Sequence, residues 1–122
     1  MTNIVLTTLS DALLAFKEFT GDADVQTQAV QTFLMIATRS SPSLEDISDV
    51  IGLNQSTASR NIKKLAVGPR AQEGYGLVIV ELDPYDHRRR VLKLSTRGHK
   101  LVKLIETRTM SKLRRYFKKE RV

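Results

Sequence analysis

Apolar positions recur along this chain with periods that change from segment to segment. Over 3–19, Ile4, Val5, Leu6, Leu9, Leu13, Leu14 and Phe16 predict an opening helix whose apolar face is wider than a single core contact needs. Gly21 and the acidic stretch 22–24 break it, and a second helix is expected from about residue 25 to 38, with Val30, Phe33, Leu34, Ile36 and Ala37 facing a core. Residues 40–43 read as a turn. Two short helices and a tight connection follow over 43–65. After a glycine-rich loop at 67–76 the period changes. The β-branched run 77–82 predicts a strand, 83–88 a turn opened by Asp83-Pro84, and 89–94 a return strand with Leu92 and Leu94 inward. Ser95 or Thr96 caps a long final helix with Leu101, Val102, Leu104, Ile105, Met110, Leu113 and Phe117 as its apolar positions.

The stretch 43–65 organises the rest. Ser43 caps its first helix, and Asp46 stands where a capping box needs an acceptor. Leu44, Ile47, Val50 and Ile51 make one apolar face, Gly52 ends the helix, and Leu53 plugs the turn. Asn54 caps a second helix over 54–66, which buries Ala58, Ile62 and Leu65. It leaves Gln55, Ser56, Thr57, Ser59, Arg60, Asn61, Lys63 and Lys64 facing out. Short polar and basic side chains in front of an apolar back suit a DNA major groove, so the pair reads as a helix-turn-helix. An αα-corner in any small helical domain could show a similar pattern.

Charge separates the readings further. Residues 1–59 hold two basic and seven acidic side chains, a net of −5, whereas 60–122 hold eighteen basic and six acidic, a net of +12. The overall +7 therefore conceals a strongly positive half that begins inside the second helix of the pair. That asymmetry favours a polyanion met by one side of the molecule over a basic surface kept for solubility. With 122 residues the chain is the size of a single domain. It has no cysteine, which excludes disulfides and thiol-based oxidant sensing. No apolar run approaches a membrane span of about 20 residues, no basic residue precedes Lys17, and a cytoplasmic location with no membrane partner is the simplest expectation.

The order helix, helix, helix-turn-helix, hairpin, long helix is that of a winged helix, with the hairpin as a wing whose tip can reach a minor groove. At the wing the sequence resembles the MarR family of winged-helix transcription regulators. Asp83-Pro84-Tyr85-Asp86-His87-Arg88, then Leu94-Ser95, then Gly98, match in register that family's pattern of Asp, Pro, any residue, Asp, any residue and Arg, followed by Leu-Ser/Thr and a helix-opening Gly. The likeness spans nearly the whole chain. It departs from the pattern in overall shortness and in the long, glycine-rich loop at 67–76.

The expected fold is mainly α with a β-hairpin (α+β), a single winged-helix domain over 1–122. Its parts are terminal dimerisation helices at 1–20 and 96–122, a helix-turn-helix at 43–66 and a wing at 77–94. The resemblance implies a homodimer built from the terminal helices and repression or activation at a palindromic operator, with a repressor the preferred expectation. It also implies that Arg88 enters a minor groove with Asp86 steadying it. Base edges are assigned to Gln55, Ser56, Thr57, Ser59, Arg60 and Asn61, and phosphates to Lys63, Lys64, Arg70, Arg89 and Arg90, with His87 beside them. The family often senses small phenolic ligands, yet nothing in the sequence marks an effector pocket, so a small-molecule effector stays open.

Other chemistry finds little support. His87 and His99 have no cysteine or carboxylate cluster at ligand spacing, so no metal or cofactor is expected. Glycines 68, 74 and 76 lack the setting of a phosphate loop, and the helix serines lack a nucleophile motif, so the chain reads as a non-enzyme. Two alternatives stay open: a non-regulatory nucleic-acid module for replication or RNA binding, which would share the charge pattern, and a winged helix that docks on protein, against which the excess positive charge of 60–122 argues.

Overall fold

The computed structural model describes residues 3–66 and 74–120. Within them the chain forms α1 (Ile4–Thr20), α2 (Thr27–Thr38), α3 (Leu44–Ile51), α4 (Gln55–Leu65), β1 (Val78–Leu82), β2 (Arg90–Leu94) and α5 (Thr96–Glu120). The fold is α+β, and it divides into two compact units: α1 with α5 from residue 100 onward, and residues 25–99.

The central unit is built on helix ends that the sequence specifies. Ser43 Oγ accepts from the Asp46 N–H at 3.1 Å, and Asp46 Oδ2 accepts from the Ser43 N–H at 2.9 Å, so the capping box at α3 is complete. Gly52 takes φ +76°, where a Cβ would be strained, and its N–H closes α3 on Ser48 O at 2.9 Å. Asn54 Oδ1 then accepts from the Thr57 N–H at 2.8 Å and starts α4. Ile47, Ala58, Ile62 and Leu65 are buried, while α2 adds Val30, Phe33 and Ile36. The expected apolar face of α3 is only partly used, since Val50 is 57% exposed. An eight-residue helix has room for about two turns, and Ile47 is its one fully buried apolar side chain.

β1 and β2 pair antiparallel, with Val78 opposite Leu94, Val80 opposite Leu92 and Leu82 opposite Arg90. On the outer edge of β2, Ser43 bridges Val91 and the Leu92 N–H donates to Pro42 O at 2.9 Å. The segment just ahead of α3 therefore covers an edge that would otherwise expose unpaired backbone. Both edges of β2 are consequently paired. Val91 and Leu92 are buried and Leu94 is half-buried, instead of the expected alternation of Leu92 and Leu94.

Ser95 caps α5: its Oγ accepts from the Gly98 N–H at 3.0 Å and donates to Gly76 O at 2.6 Å. A Cβ at Gly98 would coincide with the Leu77 carbonyl, so this first turn fits only a glycine at that point.

In the other unit, Arg108 pairs with Glu18 at 2.6 Å and Lys112 with Asp11 at 2.5 Å. The order of these pairs makes α1 and α5 run in opposite directions. Val5, Leu6, Leu9 and Leu14 of α1 are more than half exposed, as is Phe117 of α5.

Candidate nucleic-acid interface

The interface is built from α4 and the wing. One face of α4 is closed by Ala58, Ile62 and Leu65. From the opposite side Ser56, Arg60, Lys63 and Lys64 stand exposed, with Thr57 and Ser59 half-exposed beside them, and Gln55 is exposed in the first turn. Asn61 corrects the sequence reading. Expected on the outer face, it is 6% exposed, and its Nδ2 finds no hydrogen-bond partner among the described residues. Position 61 falls between Ala58 and Leu65 on the helix surface, so its side chain is drawn inward with them. A buried carboxamide in that place cannot reach a base edge.

The chain after α4 fixes the wing to it. The Tyr75 N–H donates to Lys64 O at 2.8 Å, the Leu77 N–H to Leu65 O at 2.7 Å and the Gly76 N–H to Ala66 O at 3.3 Å. These bonds satisfy carbonyls that the end of a helix leaves without partners. A Cβ at Gly74 would collide with the Ala66 carbonyl, so this close approach requires glycine. The Tyr75 ring lies under Lys64, with Nζ 5.3 Å from its centroid. Nothing local marks this contact in advance, because 67–76 carries only loop signals. Arg70, expected at phosphate, lies outside the described residues.

The wing turn is ordered by its aspartates. Asp83 Oδ1 accepts from the Tyr85 N–H at 2.8 Å and the Asp86 N–H at 3.3 Å, while Asp86 Oδ1 accepts from the Arg88 N–H at 3.1 Å. Asp86 therefore holds the backbone of Arg88, not its guanidinium. Tyr85, Asp86, His87, Arg88 and Arg90 are all exposed. The Arg88 side chain has no ion pair among the described residues and is free to reach outward.

Arg89, expected at phosphate, also donates from Nη2 to Asp46 Oδ2 at 3.0 Å and from Nη1 to Asp83 Oδ2 at 3.5 Å. The Arg89–Asp46 pair is half-exposed, and it ties the wing to the start of α3. The Ser43 N–H, then the Ser43 hydroxyl and Arg89, hold the Asp46 carboxyl below its ordinary range. The Tyr85 N–H does most of the same for Asp83, with the Asp86 N–H and Arg89 assisting. Nothing local identifies the Arg89–Asp46 contact, since its partners are 43 positions apart. Between α4 and the wing runs a narrow groove lined chiefly by Leu44, Ser59, Ile62, Lys63, Val80 and Leu92. Ser59 and Lys63 thus face the wing as well as solvent.

Both histidines are exposed, and among the described residues no three His, Asp or Glu side chains converge as a metal site would require. No described helix is long and apolar enough to cross a membrane.

No family model and no curated protein matches the chain. Solved structures do. A transcriptional regulator from Thermotoga maritima is similar with TM-score 0.69 and 15% identity, over 95% of this chain and 77% of that one. MepR of S. aureus, crystallised with DNA, is similar with TM-score 0.62 and 17% identity, over 97% and 91% of the two chains. A mutant MarR from E. coli complexed with operator DNA is similar with TM-score 0.59 and 14% identity, over 84% and 69%. The fold is a MarR-like winged helix.

Proposed function

We propose that the protein is a homodimeric, sequence-specific double-stranded-DNA-binding transcription regulator acting at a palindromic operator, most simply as a repressor that occupies it. One observation carries the reading. α4 exposes Gln55, Ser56, Arg60 and Lys63, Arg88 stands free on the wing turn, and backbone hydrogen bonds from the end of α4 to residues 75–77 tie the two elements together. In this reading α4 lies in the major groove. Arg60 and Gln55 meet base edges, Ser56, Thr57 and Ser59 adapt to either base or phosphate, and Lys63, Lys64 and Arg90 meet phosphates. Arg88 enters the flanking minor groove with His87 beside it, while Arg89 holds the wing at the angle this requires.

The exposed apolar side chains of α1 and the end of α5 support a dimer, because contiguous apolar surface of that kind marks an interface. Two copies related by a twofold axis read two inverted half-sites, hence the palindrome. The solved neighbours bound to DNA support the same assignment by likeness of fold. Selection of bound sequences from a random duplex pool tests it. A palindromic consensus is expected. Enrichment of no sequence would favour a non-regulatory nucleic-acid module, and the absence of any duplex binding would favour a module that docks on protein.

A further inference from the structure

Helix α5 carries paired and unpaired cations, and of the unpaired ones Arg115 and Lys119 are exposed on other sides of the helix. Arg108 and Lys112 are consumed by Glu18 and Asp11 of α1. Lys100, Lys103, Arg114 and Lys118 make no ion pair with any described residue. Together with Thr107 and Ser111 they recur at spacings of three, four, four, three and four, so they form a single stripe along the helix. All six are exposed. The stripe belongs to the terminal-helix unit, not to the unit that holds α4 and the wing.

Such a stripe has a cost. Lys100 with Lys103 and Arg114 with Lys118 are like-charge neighbours on a helix, which destabilise it slightly in the absence of a counter-charge. At a rise of about 1.5 Å per residue the stripe extends over roughly 27 Å, a length suited to an extended, rod-like polyanion and not to a point ligand. Its chemistry points the same way: cations and hydroxyls, with no aromatic side chain among the six on which an unpaired base could stack. A lipid surface would need a row of large apolar side chains opposite the charges. Opposite this stripe Leu101 is buried and Ile105 half-buried, so that row is already in use.

We propose that this stripe on α5 is a second, sequence-independent contact for the phosphate backbone of duplex DNA, separate from α4 and the wing. It makes no base contact, and it contributes through counterion release alone.

The test compares two double variants of the full chain on a random-sequence duplex several helical turns long. Lys103→Gln with Arg114→Gln removes two charges from the stripe, and Lys17→Gln with Arg39→Gln removes two exposed charges elsewhere. The slope of log affinity against log salt should fall by about 0.9 per lost phosphate contact, hence by nearly two for the stripe variant in each protomer and much less for the other. The stripe variant should also melt no lower than the parent, which separates a lost contact from a lost fold. Equal slopes for parent and stripe variant overturn the proposal. So does loss of binding to phosphatidylserine vesicles, or to a polyglutamate peptide, with the duplex slope unmoved; the surface would then serve a membrane or an acidic protein. The operator reading fails separately. If duplex selection yields no consensus while the stripe variant still flattens the slope, the regulator assignment falls and this contact stands.

Discussion

Arg89 Nη2 donates to Asp46 Oδ2 at 3.0 Å, joining the wing turn to the first turn of α3. The same oxygen accepts from the Ser43 N–H, so a single carboxylate atom serves both the helix cap and the wing. Both side chains remain about half exposed, which limits the pair to about 0.2–1 kcal/mol of stability. Its larger effect should be on binding. Arg89→Ala should lower duplex affinity several-fold while shifting the urea midpoint little, because the wing loses its set angle. A double-mutant cycle with Asp46→Asn checks this. Additive losses in affinity would show that Arg89 touches DNA directly instead.

Acid should release the same device. Asp46 and Asp83 both have folded values below the ordinary 3.8, so the folded state binds fewer protons than the unfolded one as these groups titrate. Their stabilisation is complete above that value and is lost as pH falls through the lower, folded values. Urea midpoints should therefore be flat from neutral pH down to the ordinary carboxylate range and then decline. The decline should be shallower in Asp46→Asn and Asp83→Asn. An unchanged acid limb in both variants would remove these two groups from the account.

Arg60 and Asn61 are neighbours in sequence with different fates. Arg60→Ala should cost about 1–3 kcal/mol per half-site on the selected sequence and relax its specificity. Lys63→Ala should weaken all duplexes by a similar factor. Asn61→Ala should act through the fold, altering affinity for selected and random duplexes equally. Titrating the three variants against both duplexes gives three distinct patterns if α4 reads bases through its exposed side.

At the wing, Arg88→Ala should lose affinity chiefly on sites with A·T-rich flanks, where a narrow minor groove concentrates negative potential. Asp86→Ala should also weaken binding although it removes a negative charge, because the Asp86 carboxylate fixes the Arg88 N–H. Tighter binding by Asp86→Ala, with no dependence on flanks for Arg88→Ala, would reduce the turn to a generic basic loop.

Leu6 and Leu9 of α1 are 61% and 52% exposed. Replacing either by Asp should convert a dimer into a monomer at micromolar concentration in sedimentation, and operator affinity should fall with it. A parent chain that sediments only as a monomer would defeat the dimer.

The sequence by itself determined the local structure. Caps, helix ends and turns are decided within a few residues. Ser43 with Asp46, Gly52, Asn54, Pro84 and Ser95 therefore announced their roles, and the alternating and 3.6-residue periods announced what lay between them. The folded chain decided what lies far apart in sequence or depends on the amount of available cover. Asn61 turned inward because the buried face of α4 is broader than its three aliphatic residues suggested. Val50 stayed outside because α3 is too short to bury its whole apolar face. Arg89 gained its partner because folding brought Asp46 to it across 43 positions. The glycine-rich run at 74–76 became the splice between α4 and β1, since three helix-end carbonyls needed donors there. A one-dimensional pattern records periodicity and chemistry, but a buried amide's surroundings and an ion pair's partner exist only after the elements have packed.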